Sequence, residues 1–412
     1  MVHQPLTEEE IVRQLLNEIP KLLTSGERVL AIIPDRTRSA PIPTIFPALN
    51  QIASQAGCHL DYLIALGTHP PLDEHEIDLL VGKPLEEIRH LHPGLKIMNH
   101  NWADPKQLVQ LGVIPAAEVE EYSGGLMHQE IPVTINRLAL EYDRLLICGP
   151  VFPHEVAGFS GGAKYLFPGI AGEEIIHLTH WLGALSTSMH TIGVKDTPVR
   201  RIIEAAARMV PIPVTQAAFC MDSQETLAVF IGDLEDTWQK AAEMSSEINI
   251  CRLPRQFSSV LSQPASLYDE MWTAAKAMYK LESIVKDGGE LIIYAPHIKE
   301  ISVTHGKLIQ EVGYHCRDYF LKQWEKFSDY PLGVLAHSTH LKGAGSFEEG
   351  VETTRIYVIL ATAIPRKICE KVNLGYMDPF SIKIEDWQNQ EEKGFLYVPN
   401  AGEILYQYHP SC

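Results

Sequence analysis

Residues Arg28 to Arg38 read RVLAIIPDRTR. The first six, Arg28 to Ile33, form a short apolar run of the kind a buried strand makes. The run ends in a polar cluster, Pro34-Asp35-Arg36-Thr37-Arg38. Upstream, Thr7 to Leu23 is helix-like, with Thr7 as N-cap and Glu10 three residues later completing a capping box, and Gly26 ends it. Downstream, YLIAL (Tyr62 to Leu66), LKIM (Leu95 to Met98) and RLLIC (Arg144 to Cys148) repeat the strand signal. Helical stretches lie between, at Pro43 to Gly57 and Leu72 to Leu80. Strand and helix in alternation imply a mostly parallel sheet covered on both faces.

A second alternation follows Arg252. Leu267 to Val285 reads as helix, Asp287-Gly288-Gly289 as a turn, and ELIIY (Glu290 to Tyr294) as a strand. Gly333 to Ala336 and Ile356 to Leu360 are further strand candidates. The expected class is α/β with two domains, each a mostly parallel sheet flanked by helices, and the active site in the cleft between them. The expected boundaries are 1–250 for the N-terminal catalytic domain, 251–390 for the C-terminal domain, and 391–412 for a tail packing back on the N-terminal domain.

The chain has 412 residues, 45% apolar and 8% aromatic, which excludes a disordered, collagen-like or coiled-coil protein. A net charge of −18 argues against a reader of nucleic-acid backbone, which needs clustered Lys and Arg. An anionic small substrate stays admissible, because local fields set a pocket. No apolar run reaches the roughly 20 residues of a membrane span. The N-terminus carries acids where a signal peptide has basic residues. Seven scattered cysteines make neither a CxxC pair nor a disulfide framework. The expectation is a cytoplasmic protein with no nucleic-acid or membrane partner.

Polar clusters follow each strand of the first domain: Asp35 to Arg38, Gly67-Thr68-His69-Pro70-Pro71, His100-Asn101, and His154-Glu155. In an open parallel sheet the strand C-termini share one edge, where ligands bind at the topological switch point. Taken singly, each cluster also reads blandly. His69 or His100 serves equally as a loop or capping histidine, and Asp35 with Thr37 as an Asx-type turn. His90, His92, His297, His305 and His337 read as surface or supporting groups.

The densest stretch is Val151 to Leu182, VFPHEVAGFSGGAKYLFPGIAGEEIIHLTHWL. Ser160-Gly161-Gly162 leaves backbone N–H groups open to a phosphate or carboxylate. The Walker spacing is absent, since Lys164 is followed by Tyr165. Lys164 sits in mainly apolar company, where a lysine is paired or has its pKa lowered toward nucleophilicity. Ala171 to Leu182 reads as a helix bearing His177 and His180 three residues apart on one side. That pair can serve a metal, but it lacks the HExxH arrangement of a zinc protease. The bland reading is a Gly-rich turn followed by a helix with partly buried histidines.

This stretch resembles the nickel-dependent lactate racemase family, through Pro153-His154, Gly158-Phe159-Ser160-Gly161-Gly162-Ala163-Lys164, Pro168-Gly169-Ile170-Ala171-Gly172 and His180. Asp35-Arg36-Thr37-Arg38 and Gly67-Thr68-His69 resemble further family motifs, as do His305-Gly306 and Thr339-His340-Leu341-Lys342-Gly343 in the second domain. The resemblance implies a nickel-pincer nucleotide, a pyridinium mononucleotide with two thiocarboxylate-type arms. It places Lys164 as the covalent tether, His180 as the nickel ligand, and His100 and His154 as the two bases. Gly67, Thr68, His69, Pro70, Tyr268, Asp269 and Trp272 would line cofactor or substrate, with Trp324 a loose match to a cofactor-stacking tryptophan. Cofactor-synthesis proteins are the implied maturation partners. The chemistry is coherent: a hydrogen α to a carboxylate and a hydroxyl leaves more readily as hydride if a base takes the hydroxyl proton. Sulfur donors plus one imidazole suit nickel.

Two departures concern the substrate. The family carries Arg where this chain has Pro70, and Tyr-Gln followed by Lys where it has Tyr268-Asp269 and Trp272. Losing two cations weakens the grip on a small acid, each charge-assisted hydrogen bond being worth roughly 1.5–3 kcal/mol. The expected substrate is therefore a 2-hydroxy acid other than lactate, such as an aldonate. Asp269 would accept its hydroxyls and Trp272 would offer a flat face. The alternatives are a metal-dependent hydrolase using His154, His177 and His180, and a catalytically silent sugar-acid or nucleotide binder.

Overall fold

The computed structural model describes residues 4–36 and 39–411. Thr7 caps α1 (Glu8–Glu18): its hydroxyl accepts the Glu10 N–H at 3.2 Å and the Glu10 carboxylate accepts the Thr7 N–H at 2.9 Å. The helix is shorter than its periodicity suggests. Pro20 lacks the N–H that would continue the α ladder, and Ile19–Leu22 tighten into a 3-10 turn.

The first sheet contains β1 (Arg28–Pro34), β2 (His59–Ala65), β3 (Ile97–Asn99), β4 (Arg144–Pro150), β5 (Val214–Asp222) and β6 (Glu225–Asp233). Their order is β6-β5-β4-β1-β2-β3. All neighbours are parallel except the β5–β6 hairpin. Val29 to Ile33 are at most 1% exposed, which explains why β1 shows no polar alternation. Val29, Ala31 and Ile33 pack with Ile45, Phe46 and Leu49 of α2 (Ile42–Ala56). The chain builds outward from β1 to β2 and β3, then returns to lay β4 on the other side of β1. The topological switch point therefore lies between the C-terminal ends of β1 and β4.

Three later helices carry or support candidate site residues: α3 (Glu173–Ser186), α4 (Pro198–Ala207) and α5 (Leu234–Ile248). The second sheet is wholly parallel, in the order β10-β9-β8-β7-β11. Its strands are β7 (Phe257–Pro264), β8 (Val285–Ala295), β9 (Tyr357–Thr362), β10 (Gly375–Tyr376) and β11 (Phe395–Ala401). Leu261, Ile292 and Ala361 form its core.

Several segments fold differently from the sequence expectation. Asp287-Gly288-Gly289 is not a turn before a strand but a bulge inside β8, where the pairing jumps from Phe257–Val285 to Ser259–Glu290. Leu267 to Val285 breaks into short helical turns at Met271–Ala274, Lys276–Tyr279 and Glu282–Ile284. Gly333 to Ala336 lies in α6 (Leu332–Lys342), whose residues Val334 to Leu341 are all buried. A helix apolar on every side shows no 3.6-residue rhythm and reads like a buried strand.

The chain divides into two compact units. The first comprises Met1–Phe152, Phe159–Thr179 and Lys195–Ile248; the second comprises Pro153–Gly158, His180–Val194 and Asn249–Cys412. Two segments expected in the first domain thus belong to the second. Hydrogen bonds hold them there: Gly193 N–H donates to Gly158 O at 2.9 Å, and the Arg317 guanidinium to Leu185 O at 2.9 Å. The tail also belongs to the second unit, contrary to expectation. β11 pairs in parallel with β7, and Leu405–Tyr408 pairs with Ile250–Leu253, because these strands offer free backbone edges. No helix among the described residues is long and apolar enough to cross a membrane.

Truncation after Gln390 removes β11 and exposes the β7 edge. Hydrogen exchange is expected to accelerate in Phe257–Pro264 and to stay unchanged in Val29–Ile33; the reverse pattern would return the tail to the first unit.

Candidate active site

In the first unit the strand-end loops meet as the parallel topology requires. Asp35, 6% exposed, follows β1 and its carboxylate binds His69 Nδ1. Thr37 and Arg38 lie outside the described residues. The Gly67 N–H donates to Gly169 O at 2.9 Å, which joins the Gly67–Pro70 loop to the glycine-rich stretch. Gly67 and Thr68 are half-buried and Pro70 is exposed.

His100 follows β3 and is 1% exposed. Its Nε2–H donates to Ala171 O at 2.9 Å, since a carbonyl can only accept. The remaining lone pair, on Nδ1, accepts the Asn136 amide at 3.1 Å. Asn136 has no choice of orientation, because its Oδ1 accepts the Leu138 N–H at 3.1 Å. The His100 tautomer is thereby set by the backbone. Burial pushes its pKa down to about 4, against the smaller opposing effect of the Ala171 carbonyl.

Lys164 is half-buried in a 3-10 turn, Gly162–Tyr165. Gly161 and Gly162 precede it at φ +75° and +61°. A Cβ at Gly161 would lie 2.5 Å from Val151 Cγ2, and one at Gly162 would lie 2.7 Å from Trp238 Cδ1. Both conformation and space therefore demand glycine. Behind the turn stands Arg200 of α4, 2% exposed. Its guanidinium donates to Phe159 O and, at 3.4 Å, to Gly161 O, while lying 4.1 Å over the Trp238 ring of α5. Trp238 Nε1–H donates to Ser160 O at 2.9 Å. Three successive carbonyls are thus turned into the core. The N–H groups of Gly161, Gly162 and Ala163 donate to no acceptor among the described residues.

The second unit holds the other expected groups. His154 is 3% exposed and its Nδ1 accepts the Val156 N–H at 3.1 Å, so the neutral ring carries its proton on Nε2. Glu155 Oε2 lies 3.5 Å from the same Nδ1. His180 is half-buried on α3, and the next residue, Trp181, stacks on Trp324 with centroids 5.6 Å apart. Tyr268 is 4% exposed with Lys276 Nζ 4.9 Å from its ring, and Asp269 is exposed.

Trp272 departs from expectation. Its ring lies parallel to His337 at 3.9 Å and tilts against His305 at 4.5 Å, and its carbonyl accepts His337 Nε2–H at 3.0 Å. At least one face is therefore covered by protein. His337, expected at the surface or in support, is buried, and burial pushes its pKa down to about 3. His177 sits 3.4 Å from Glu173 on its own helix and edge-on to Trp102. Among the described residues no group of three His, Cys, Asp or Glu is disposed to hold a metal.

Sequence reasoning passed over Asn136, Arg200 and Trp238. Asn136 ends a strand (Ile131–Asn136) far from any motif, and Arg200 and Trp238 lie on ordinary amphipathic helices. Only the pairing of a large aromatic with Gly162 could have signalled them.

Replacing Arg200 with Met should leave the Phe159 carbonyl buried without its donor, at about 1–3 kcal/mol read by urea unfolding, while Gly161 O keeps the Lys164 N–H at 3.3 Å. A second expectation concerns pH. His100, His337 and His340 are neutral when folded, their pKa values pushed by burial to about 4, 3 and 4. In the unfolded chain each titrates near 6.5. Between pH 6.5 and 4 the unfolded state binds protons that the folded state refuses. Their contribution is complete above 6.5 and is lost as pH falls through that window. The urea midpoint should drop from pH 7.5 to pH 5, and by less in His340→Phe.

Comparison with known proteins agrees with this geometry. Residues 2–193 match the model of the lactate racemase N-terminal domain. Lactate racemase of Thermoanaerobacterium thermosaccharolyticum is 26% identical over 300 residues, covering 70% of this chain and 66% of that protein. The match thus spans about two thirds of that relative's length. A Thermotoga maritima protein of known crystal structure is 33% identical, with 99% of this chain and 100% of that one covered at a TM-score of 0.89. The lactate racemase apoprotein structure from T. thermosaccharolyticum shares the fold, at a TM-score of 0.77 and 20% identity over 98% of this chain and 93% of that one. Residues 2–193 are thus similar to the lactate racemase N-terminal domain, and the whole chain shares the lactate racemase fold.

Proposed function

We propose that this chain is a racemase or epimerase that inverts C2 of a 2-hydroxy acid, with a nickel-pincer nucleotide as its cofactor. The observation that carries the reading is His100: buried, neutral, fixed in one tautomer, and bonded to the backbone of the stretch that bears Lys164. The residues present fit the cofactor. The half-buried Lys164 would hold it covalently, beside N–H groups suited to an anion, and His180 would ligate the metal. A single imidazole donor suits a group that brings its own sulfur ligands. When bound, the nickel-pincer nucleotide supplies an acceptor and donor of hydride.

The chain's own part is to move the hydroxyl proton. His100 offers a lone pair at Nδ1, where a substrate hydroxyl would displace the Asn136 amide and give up its proton. The resulting imidazolium is poorly tolerated at a buried site, so the proton returns readily. As the second proposed base, His154 is held with Nδ1 on the Val156 N–H, so its neutral ring would meet the substrate oxygen as a hydrogen-bond donor through Nε2. The exposed Asp269 accepts hydroxyls of a longer acid, and Pro70 and Trp272 supply no cation for a small one. An aldonate is therefore the proposed substrate rather than lactate. Maturation would need cofactor-synthesis proteins in the cytoplasm.

Protein from a cofactor-producing host should carry a mass adduct that maps to Lys164 and is absent in Lys164→Ala. Turnover of C2-deuterated gluconate should retain the label, and gluconate should outpace lactate. Free exchange of the label with solvent would end the hydride reading, and faster lactate turnover would end the substrate reading. His100→Asn should lower the rate by roughly 10²–10⁴-fold.

A further inference from the structure

The second unit contains a cavity of about 230 Å3 at the C-terminal end of α3. None of the residues proposed to serve as cofactor tether, base or metal ligand lines it. Its polar wall is Thr187, Ser188, His190, Arg317, Thr339 and His340, and no Asp or Glu is among its lining residues. Ala184 lies four residues beyond His180 on α3, and Ser188 follows the end of that helix.

Four features set this cavity apart from an ordinary packing defect. His340 is 5% exposed, and its Nε2 is buried with no hydrogen-bond partner, a state that costs free energy unless something completes it. Arg317 has five N–H donors, of which one meets Leu185 O at 2.9 Å and two meet Asp318 at 3.0 and 3.1 Å, leaving two. Thr187 adopts φ +65° and ψ 145°, a conformation that β-branched residues avoid and that persists where a site requires it. Its Oγ1 lies 3.0 Å from His190 Nδ1.

The carbonyls at the end of α3, which would repel an anion, are already taken. Leu182 O accepts the Ser186 hydroxyl, Ala184 O the Thr187 N–H, and Leu185 O the Arg317 guanidinium. Of the nearby acids, Glu282 accepts the Ala344 N–H at 2.8 Å and lies 3.6 Å from Arg355, and Asp318 pairs with Arg317 at 3.0 Å. Glu155 acts on His340 from outside the cavity wall.

We propose that this cavity is a binding site for a small hydroxylated carboxylate, with Arg317 facing the carboxylate and His340 Nε2 and the Thr187 and Ser188 hydroxyls facing its hydroxyl groups. A phosphate would call for more than one cation, and an uncharged polyol would bring no charge to the Arg317 guanidinium beyond that of Asp318. The site stands independently of the nickel chemistry, because no residue of that reading takes part.

The test uses the full chain made without cofactor, with gluconate as the probe and sorbitol as the uncharged control, followed by calorimetry and by imidazole NMR. Gluconate should bind saturably, shift the His340 ring signals, and outcompete sorbitol. Arg317→Gln should weaken binding by about 10-fold or more, and His340→Phe should weaken it while keeping the ring against Tyr279. Lys164→Ala and His100→Asn should leave the gluconate-induced shift of the His340 ring signals unchanged. Absence of saturable binding, or equal affinity in both cavity variants, overturns the proposal. Loss of the His340 shift in Lys164→Ala or His100→Asn overturns it too, by placing the probe in the catalytic centre. Failure here leaves the racemase reading standing, since that reading is judged by label retention and by the adduct on Lys164.

Discussion

A buried guanidinium organises the glycine-rich turn. Arg200 and Trp238 together engage the carbonyls of Phe159, Ser160 and Gly161, three in succession. A chain that turns three carbonyls inward presents its amides on the other side, which glycine alone permits at φ +75° and +61°. The cost of burying Arg200 is visible in its pKa, pushed down to about 10 by desolvation. The cation is retained because the carbonyls and the indole face meet its charge. Without that clamp the turn bearing Lys164 has no reason to hold its shape.

The two proposed catalytic histidines differ in a way that their identical chemistry conceals. Each has one ring nitrogen tied to the backbone, but through opposite roles. His100 donates from Nε2 to a carbonyl, and His154 accepts at Nδ1 from an amide. A neutral ring given a backbone acceptor keeps its lone pair on the far nitrogen; one given a backbone donor keeps its proton there. The main chain thus holds the two rings in opposite tautomers.

Much of the first sheet was legible because a parallel strand buried on both faces leaves a continuous apolar run, as in RVLAII. The capping box at Thr7 and Glu10 was legible for the same local reason, since both bonds span only three residues. The motif residues His100, His154, Lys164 and His180 were legible through family resemblance and through their positions after strands. Asn136, Arg200 and Trp238 were not, because their partners are 36, 39 to 41 and 78 residues away in sequence. The helix at Leu332–Lys342 was misread because uniform burial erases the periodicity that tells helix from strand.

Sequence alone determined the α/β class and the resemblance to lactate racemases, along with the residues that gather at strand ends, since each depends on local pattern or on short motifs. Only the tertiary structure decided which unit owns His154 and His180, where the tail strand pairs, which nitrogen of each histidine holds its proton, and that Trp272 packs against His337. The physical reason is common to all four. Sheet edges, hydrogen-bond partners and stacked rings are supplied by segments distant in the chain, and a linear pattern carries no record of which distant segment will arrive.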